Sequence, residues 1–120
     1  MARLIVVVLA LLLVLPGSAA AAKRFSGCVA ESVGCTHHFT SGSAPVVRFK
    51  DRKASHTTYR VCVRDPIGRR CWHRTTKAAG HWHAAMSYYA ARTYGKHVVR
   101  WYVHDKQVAR WIFRLGSEGD

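Results

Sequence analysis

Short apolar stretches with a period of two residues recur along the chain after residue 22. Such alternation, bounded by turn-forming residues, is typical of half-buried strands and predicts an all-β domain. The clearest stretch covers residues 58–64, where Tyr59, Val61 and Val63 occupy one face and Arg60, Cys62 and Arg64 the other.

The segment Asp65-Pro66-Ile67-Gly68 follows this strand and matches the preferences of a type I turn. A hairpin closed by this turn places Arg64 opposite Arg69 and Cys62 opposite Cys71. Opposed residues in an antiparallel pair have Cα atoms ~4.5–5.5 Å apart, which is within disulfide reach. We therefore predict a Cys62–Cys71 bridge on the outward face of the hairpin.

A second alternating pair covers residues 97–103 and 109–115. A two-residue loop would set Trp101 against Arg110, whereas a three-residue loop sets it against Trp111. The longer loop keeps one face apolar, so burial favours it. Residues 80–94 fit either a strand or a short helix, and we favour a strand that ends at Met86.

The first 22 residues have the pattern of a signal peptide. Arg3 precedes the apolar run Leu4 to Leu15, and Pro16 is followed by small residues. Twelve apolar residues rise only ~18 Å as a helix, too little for a ~30 Å bilayer core. We predict cleavage after Ala22, one domain over residues 23–120 without a membrane span, and a secreted or envelope-associated protein.

Four cysteines remain after that cleavage. An even number in a small exported chain indicates disulfides, and four cysteines allow three connectivities. The predicted hairpin pairs Cys62 with Cys71, which leaves Cys28 to pair with Cys35. Two such bridges, each contributing ~2–4 kcal/mol, would stabilise so short a chain.

The closing strands also resemble a known family. The pattern Gly95-x-His97-x-Val99-x-Trp101-x-Val103, a short turn and 108–114 look like the last two strands of bacterial immunoglobulin-like β-sandwiches. The whole chain resembles small exported bacterial proteins of that fold whose function is unknown. The resemblance implies an antiparallel sandwich of about seven strands and transfers no activity. His97 stands where tyrosine is usual, which puts the tyrosine corner of the family in question.

From the alternation we expect a core of ten residues: Phe49, Tyr59, Val61, Val63, Trp72, Val99, Trp101, Val103, Trp111 and Phe113.

Basic residues carry the main functional signal. The formal charge is +13, and it falls to +12 when Arg3 leaves with the signal peptide. Such a charge favours anionic partners, although it also keeps a secreted protein soluble. Arginine suits bidentate contact with phosphate or carboxylate. The candidate anion-binding residues are Arg60, Arg64 and Arg69 on the outward hairpin face, with Arg70 and Arg74 close by.

Other chemistry has less support in the sequence. There is no G-x-S-x-G motif, and no pair of carboxylates is suited to acid–base catalysis. We expect no enzymatic activity and no cofactor. His81 and His83 have a spacing that could chelate zinc or copper, but no third ligand is evident, so we assign no metal site.

These observations favour a secreted, non-enzymatic binding module that engages an anionic polymer or cell-envelope surface through an arginine-rich hairpin. Two alternatives remain open at this stage. One is a structural or accessory domain for protein–protein contact, and the other is a histidine-based metal-binding module.

Overall fold

The computed structural model describes residues 23–32 and 34–117, and the predicted signal peptide lies outside this range. Nine strands and no helix occur in these two segments, so the all-β prediction is confirmed. The strands are β1 (Phe25–Glu31), β2 (Gly34–Cys35), β3 (His38–Phe39), β4 (Val46–Asp51), β5 (Thr58–Asp65), β6 (Gly68–Thr75), β7 (His83–Met86), β8 (Gly95–Val103) and β9 (Lys106–Leu115).

The strands form two sheets that pack face to face. One has the order β2-β1-β4-β7 and the other β3-β9-β8-β5-β6. All pairings are antiparallel except that of β3, which runs parallel to β9. This arrangement is an immunoglobulin-like sandwich, as expected. The number of strands exceeds seven because β2 and β3, of two residues each, are too short to show any alternation in the sequence.

Eight of the ten expected core residues are buried between the sheets. Trp72 and Trp111 are only half-buried, because they lie beside the core rather than inside it. The core also contains Val29, Phe39, Val47, Ala85 and Tyr89, which the strongest alternating segments do not include, and Leu115 at the end of the second alternating pair.

Gly27 of β1 is where the two sheets approach most closely around Trp101. A Cβ atom on Gly27 would lie 2.5 Å from two ring carbons of Trp101, which belongs to β8 in the other sheet. The indole ring therefore rests directly on the β1 backbone. Only glycine permits so close an approach.

Both predicted disulfides form, and each lies within one sheet. Cys28 bonds to Cys35 between β1 and β2, and Cys62 bonds to Cys71 between β5 and β6. Antibody domains instead have a disulfide that joins their two sheets. In this chain the sheets are joined by side-chain packing such as that of Trp101 on Gly27.

The β5–β6 hairpin has the predicted register, with Arg64 opposite Arg69 and Cys62 opposite Cys71. The predicted register of β8 and β9 is wrong. A two-residue turn of His104 and Asp105 connects them, and a bulge then shifts the pairing so that Trp101 faces Ala109. The extra residue in the bulge returns the apolar side chains of β9 to the core, which the longer loop was expected to do.

Two buried aspartates tie loops to strand ends. Asp51 accepts two hydrogen bonds of 3.0 Å from Arg24, and it also accepts bonds from the Thr57 hydroxyl and two backbone N–H groups. Asp65 is paired with Arg92 at 2.9 Å. These bonds hold the pKa of both carboxyls below the ordinary value, so both aspartates remain charged.

Candidate functional site

The outward face of the five-stranded sheet collects basic side chains from four strands. In β5, β8 and β9 these positions alternate with buried residues such as Val61, Trp101 and Phe113. We call this surface the basic face and define it by seven residues: Arg60, Arg64, Arg69, Lys96, Arg100, Arg110 and Arg114.

Several of these cations face one another directly across neighbouring strands. Arg64 is paired with Arg69, Arg100 with Arg110, and Lys96 with Arg114. Directly opposed residues have Cβ atoms ~4.5–5.5 Å apart, and like charges in such positions repel each other. The arrangement thus costs free energy unless anions from outside compensate it.

Few side chains among the described residues offset the positive charge of the basic face. Arg60 lies 3.7 Å from Asp105, whose side chain is 93% exposed, and it also covers the ring of Tyr102. One nitrogen of Arg69 lies 3.4 Å from the sulfur of Cys62. Among the described residues no side-chain partner is found for the other five cations: Arg64, Lys96, Arg100, Arg110 and Arg114.

The outward cations of the other sheet differ in this respect. Arg48 and Lys50 both lie 4.4 Å from the ring of Trp82, and Arg48 also contacts both sulfurs of the Cys28–Cys35 bridge. Arg52 donates to the Ser26 hydroxyl at 2.7 Å. These cations have intramolecular partners, so the basic face is where unpaired positive charge accumulates.

The structure separates Arg70 and Arg74 from the other candidate arginines. Both point to the inner side of β6, which is an edge strand. Arg70 donates to the Tyr89 hydroxyl at 2.9 Å, and Arg74 donates to the backbone carbonyl of Ala85 at 2.7 Å. Arg74 thus links β6 to β7 of the other sheet, and Arg70 links β6 to the loop after β7, so neither is available to a ligand on the basic face.

The two histidine candidates are also separated. His83 is half-buried, and its Nδ1 lies 2.8 Å from the Tyr59 hydroxyl, whereas His81 is exposed in the preceding loop. Burial lowers the pKa of His83, which favours the neutral ring. No group of three or more possible metal ligands occurs in the segments that the structure describes.

Four residues of the basic face were not among the sequence candidates: Lys96, Arg100, Arg110 and Arg114. Three of them, Arg100, Arg110 and Arg114, alternate with apolar positions in the sequence, and this alternation already indicated that they face outward. The missing information was that β8 pairs with β5, which places both hairpins side by side. Sequence alternation gives the face of a residue within a strand but not the neighbouring strand.

No protein-family model matches the chain, and no curated protein shows significant sequence similarity to it. A solved immunoglobulin-like protein from Pseudomonas aeruginosa is similar in structure, with 14% sequence identity and a TM-score of 0.49. The match covers 79% of this chain and 94% of that protein.

No helix in the described segments is long and apolar enough to cross a membrane. Both disulfides are of the kind that forms in an oxidising environment outside the cytoplasm.

Proposed function

We propose that this chain is an exported, non-enzymatic binding module that engages an anionic polymer or cell-envelope surface through the basic face. The observation that carries this proposal is the set of five cations for which no side-chain partner is found among the described residues. Four of them form the directly opposed pairs Arg100–Arg110 and Lys96–Arg114. An anionic ligand would relieve their repulsion, which the residues described by the structure leave uncompensated.

The distribution of acidic residues supports the proposal. The buried carboxylates of Asp51 and Asp65 already form ion pairs with Arg24 and Arg92, so they do not offset the charge of the basic face. Of the described acidic residues, only Asp105 has an ion pair with the basic face. The described residues therefore present a mainly positive field on this side, and such a field attracts polyanions and speeds their association.

The alternative functions have less structural support. Pairing through the edge strand β6 is disfavoured because the inward-pointing Arg70 and Arg74 occupy that edge, a common protection against strand addition. A metal module would need a third ligand beside His81 and His83, and the described chain offers no such cluster.

The test is a salt series of the oxidised, exported protein binding to dissolved polyanions, namely single-stranded nucleic acid, teichoic acid and heparin. A variant with Arg60→Gln, Arg64→Gln and Arg69→Gln is compared with a control carrying Lys23→Gln, Lys53→Gln and Lys77→Gln. Both lose three charges, but the control loses them away from the basic face. For a single-stranded polyphosphate, each lost contact should lower the log–log salt slope by ~0.7.

The proposal expects weaker binding and a flatter salt dependence for the arginine variant and near-parental binding for the control. Equal losses in both variants would mean that net charge alone drives association. Absence of binding to polyanions and to anionic vesicles at low salt would eliminate the proposed function.

A further inference from the structure

We propose that the basic face docks flat on the surface of an anionic lipid bilayer. This inference rests on the proposed function, because it names the kind of anionic partner that the same surface fits.

The cations of the basic face are spread in two dimensions. They come from the four neighbouring strands β6, β5, β8 and β9, which at ~4.8 Å per strand span ~14 Å. Along one strand, Lys96 and Arg100 are four residues apart, which corresponds to ~13 Å. A linear chain crossing the sheet would meet one row of these charges, whereas a bilayer surface can meet all seven.

The shape of the face also suits a flat partner. Hollows touch the face at its two ends, one beside Tyr102 and Asp105 and the other beside Lys96 and Arg114, and a third touches it along the β9 edge at Arg110. Between these hollows the outward side chains of β5 and β8 stand on the surface of a pleated sheet. Binding of small ligands usually requires a concave site.

An apolar patch lies between two charged pairs of the face on β8 and β9. Val98 and Ile112 are directly opposed on β8 and β9, and both are partly exposed between the pairs Arg100–Arg110 and Lys96–Arg114. Cations that flank an apolar patch fit the lipid headgroup region, where phosphates bind the charges and apolar side chains avoid water.

Recognition of bases or sugars by stacking has little support on this face. The ring of Tyr102 is covered by the Arg60 guanidinium at 4.6 Å, and the imidazole of His73 lies on β6 directly opposite the same arginine. The exposed aromatic residues Trp82, Tyr88 and Tyr94 lie outside the four strands that form the face. Stacking on aromatic rings is a main source of affinity for single-stranded nucleic acid.

The experiment is co-sedimentation of the oxidised protein with vesicles of phosphatidylcholine alone or with about one third phosphatidylglycerol. Two triple variants remove equal charge from different parts of the face. One carries Arg64→Gln, Arg100→Gln and Arg110→Gln in the middle, and the other Arg60→Gln, Lys96→Gln and Arg114→Gln at the margins. The Lys23, Lys53 and Lys77 glutamine variant is again the control.

Each cation near an anionic membrane contributes about 5-fold in affinity, so either triple variant should bind about 100-fold more weakly, while the control should bind almost as the parent. A variant that is expected to bind more tightly is also included, because misfolding would weaken binding and cannot produce this result. Asp105→Asn removes the one carboxylate paired with the face and should tighten binding to anionic vesicles by about 5-fold.

Three outcomes would overturn the inference. The first is equal binding to neutral and anionic vesicles. The second is loss of binding in only one triple variant, which indicates a linear ligand. The third is face-dependent binding of dissolved polyanions without binding to vesicles, which leaves the proposed function intact. If neither vesicles nor polyanions bind, both proposals fail together.

Discussion

At the scale of single residues, the contact between Gly27 and Trp101 has the strictest steric requirement. A methyl group at position 27 would lie 2.5 Å from the indole ring. We expect Gly27→Ala to lower the free energy of unfolding by ~1–3 kcal/mol, as overpacking of a core does. Thermal melts would show it.

Gly34→Ala is the matched control, because a methyl group there has no atom within 4 Å. Its melting temperature should stay close to that of the parent. Equal melting temperatures for the two variants would contradict the tight packing described for β1 against β8.

His97 is the second residue with a measurable consequence. It is fully buried, stacks on Phe113 at 4.7 Å and bonds through Nδ1 to the Gly95 carbonyl. Burial lowers its pKa below the ordinary value, so the folded state holds the neutral ring. The unfolded chain then binds the extra proton, and stability should fall as the pH decreases below ~6.5.

Melting temperatures measured between neutral and mildly acidic pH test this prediction. In His97→Phe the decrease should be smaller than in the parent, and the rest should come partly from His83, whose pKa is lowered in the same direction. The exposed His81→Gln should keep the parental decrease. A His97→Phe profile identical to that of the parent would count against the buried neutral ring.

At the scale of elements, the β8–β9 turn carries backbone strain. His104 and Asp105 both have positive φ, 51° and 62°, as type I′ turns require. Side chains other than those of glycine and asparagine are unfavourable there. Asp105→Gly should therefore raise the free energy of unfolding by up to ~1 kcal/mol, measured by denaturant titration.

Lys106→Gly, one residue later in β9, is the opposite case and should destabilise by ~0.5–1 kcal/mol, since glycine in a strand loses more entropy on folding. If Asp105→Gly were destabilising, its exposed contact with Arg60 would have to matter more than pairs of that kind usually do.

The two hairpins show how far the sequence predicts structure. In β5–β6, the turn at Asp65 and the alternation agree, and the register and disulfide follow from them. In β8–β9, alternation identifies the inner face, but the bulge before Ala109 has no sequence signal that distinguishes it from a longer loop. The position of a bulge depends on how the flanking residues pack, which only the assembled sheets determine.

The candidate site was likewise predictable only where local alternation determines the direction of a side chain. Arg60, Arg64 and Arg69 were assigned correctly to the outward side of one hairpin. The inward bonds of Arg70 and Arg74 depend on Tyr89, in the loop after β7, and on Ala85, in β7 of the opposing sheet. Contacts between sheets are long-range, so alternation within one strand cannot reveal them.

At the scale of the whole molecule, basic residues outnumber acidic residues, and the basic face holds much of this excess positive charge. The opposed pairs of the basic face repel each other most at low ionic strength, where the Debye length is ~30 Å at 0.01 M against ~8 Å at 0.15 M. We expect the melting temperature to rise as salt is added over this range.

A variant with Arg100→Gln and Arg110→Gln, which removes one opposed pair, should melt at a higher temperature than the parent at low salt and show a weaker salt dependence. The lysine control variant should keep more of the parental dependence. A melting temperature that falls with added salt would show that attractive ion pairs outweigh this repulsion.

The pleat of β5, β8 and β9 has a consequence for how this scaffold can diversify. Along each strand, side chains that point into the core alternate with basic side chains that point outward. Substitutions at the outward-facing positions can change what the surface recognises while the packing of the core stays the same. A randomised library confined to these outer positions should yield many folded members with new specificities, much as loop libraries do on antibody frameworks.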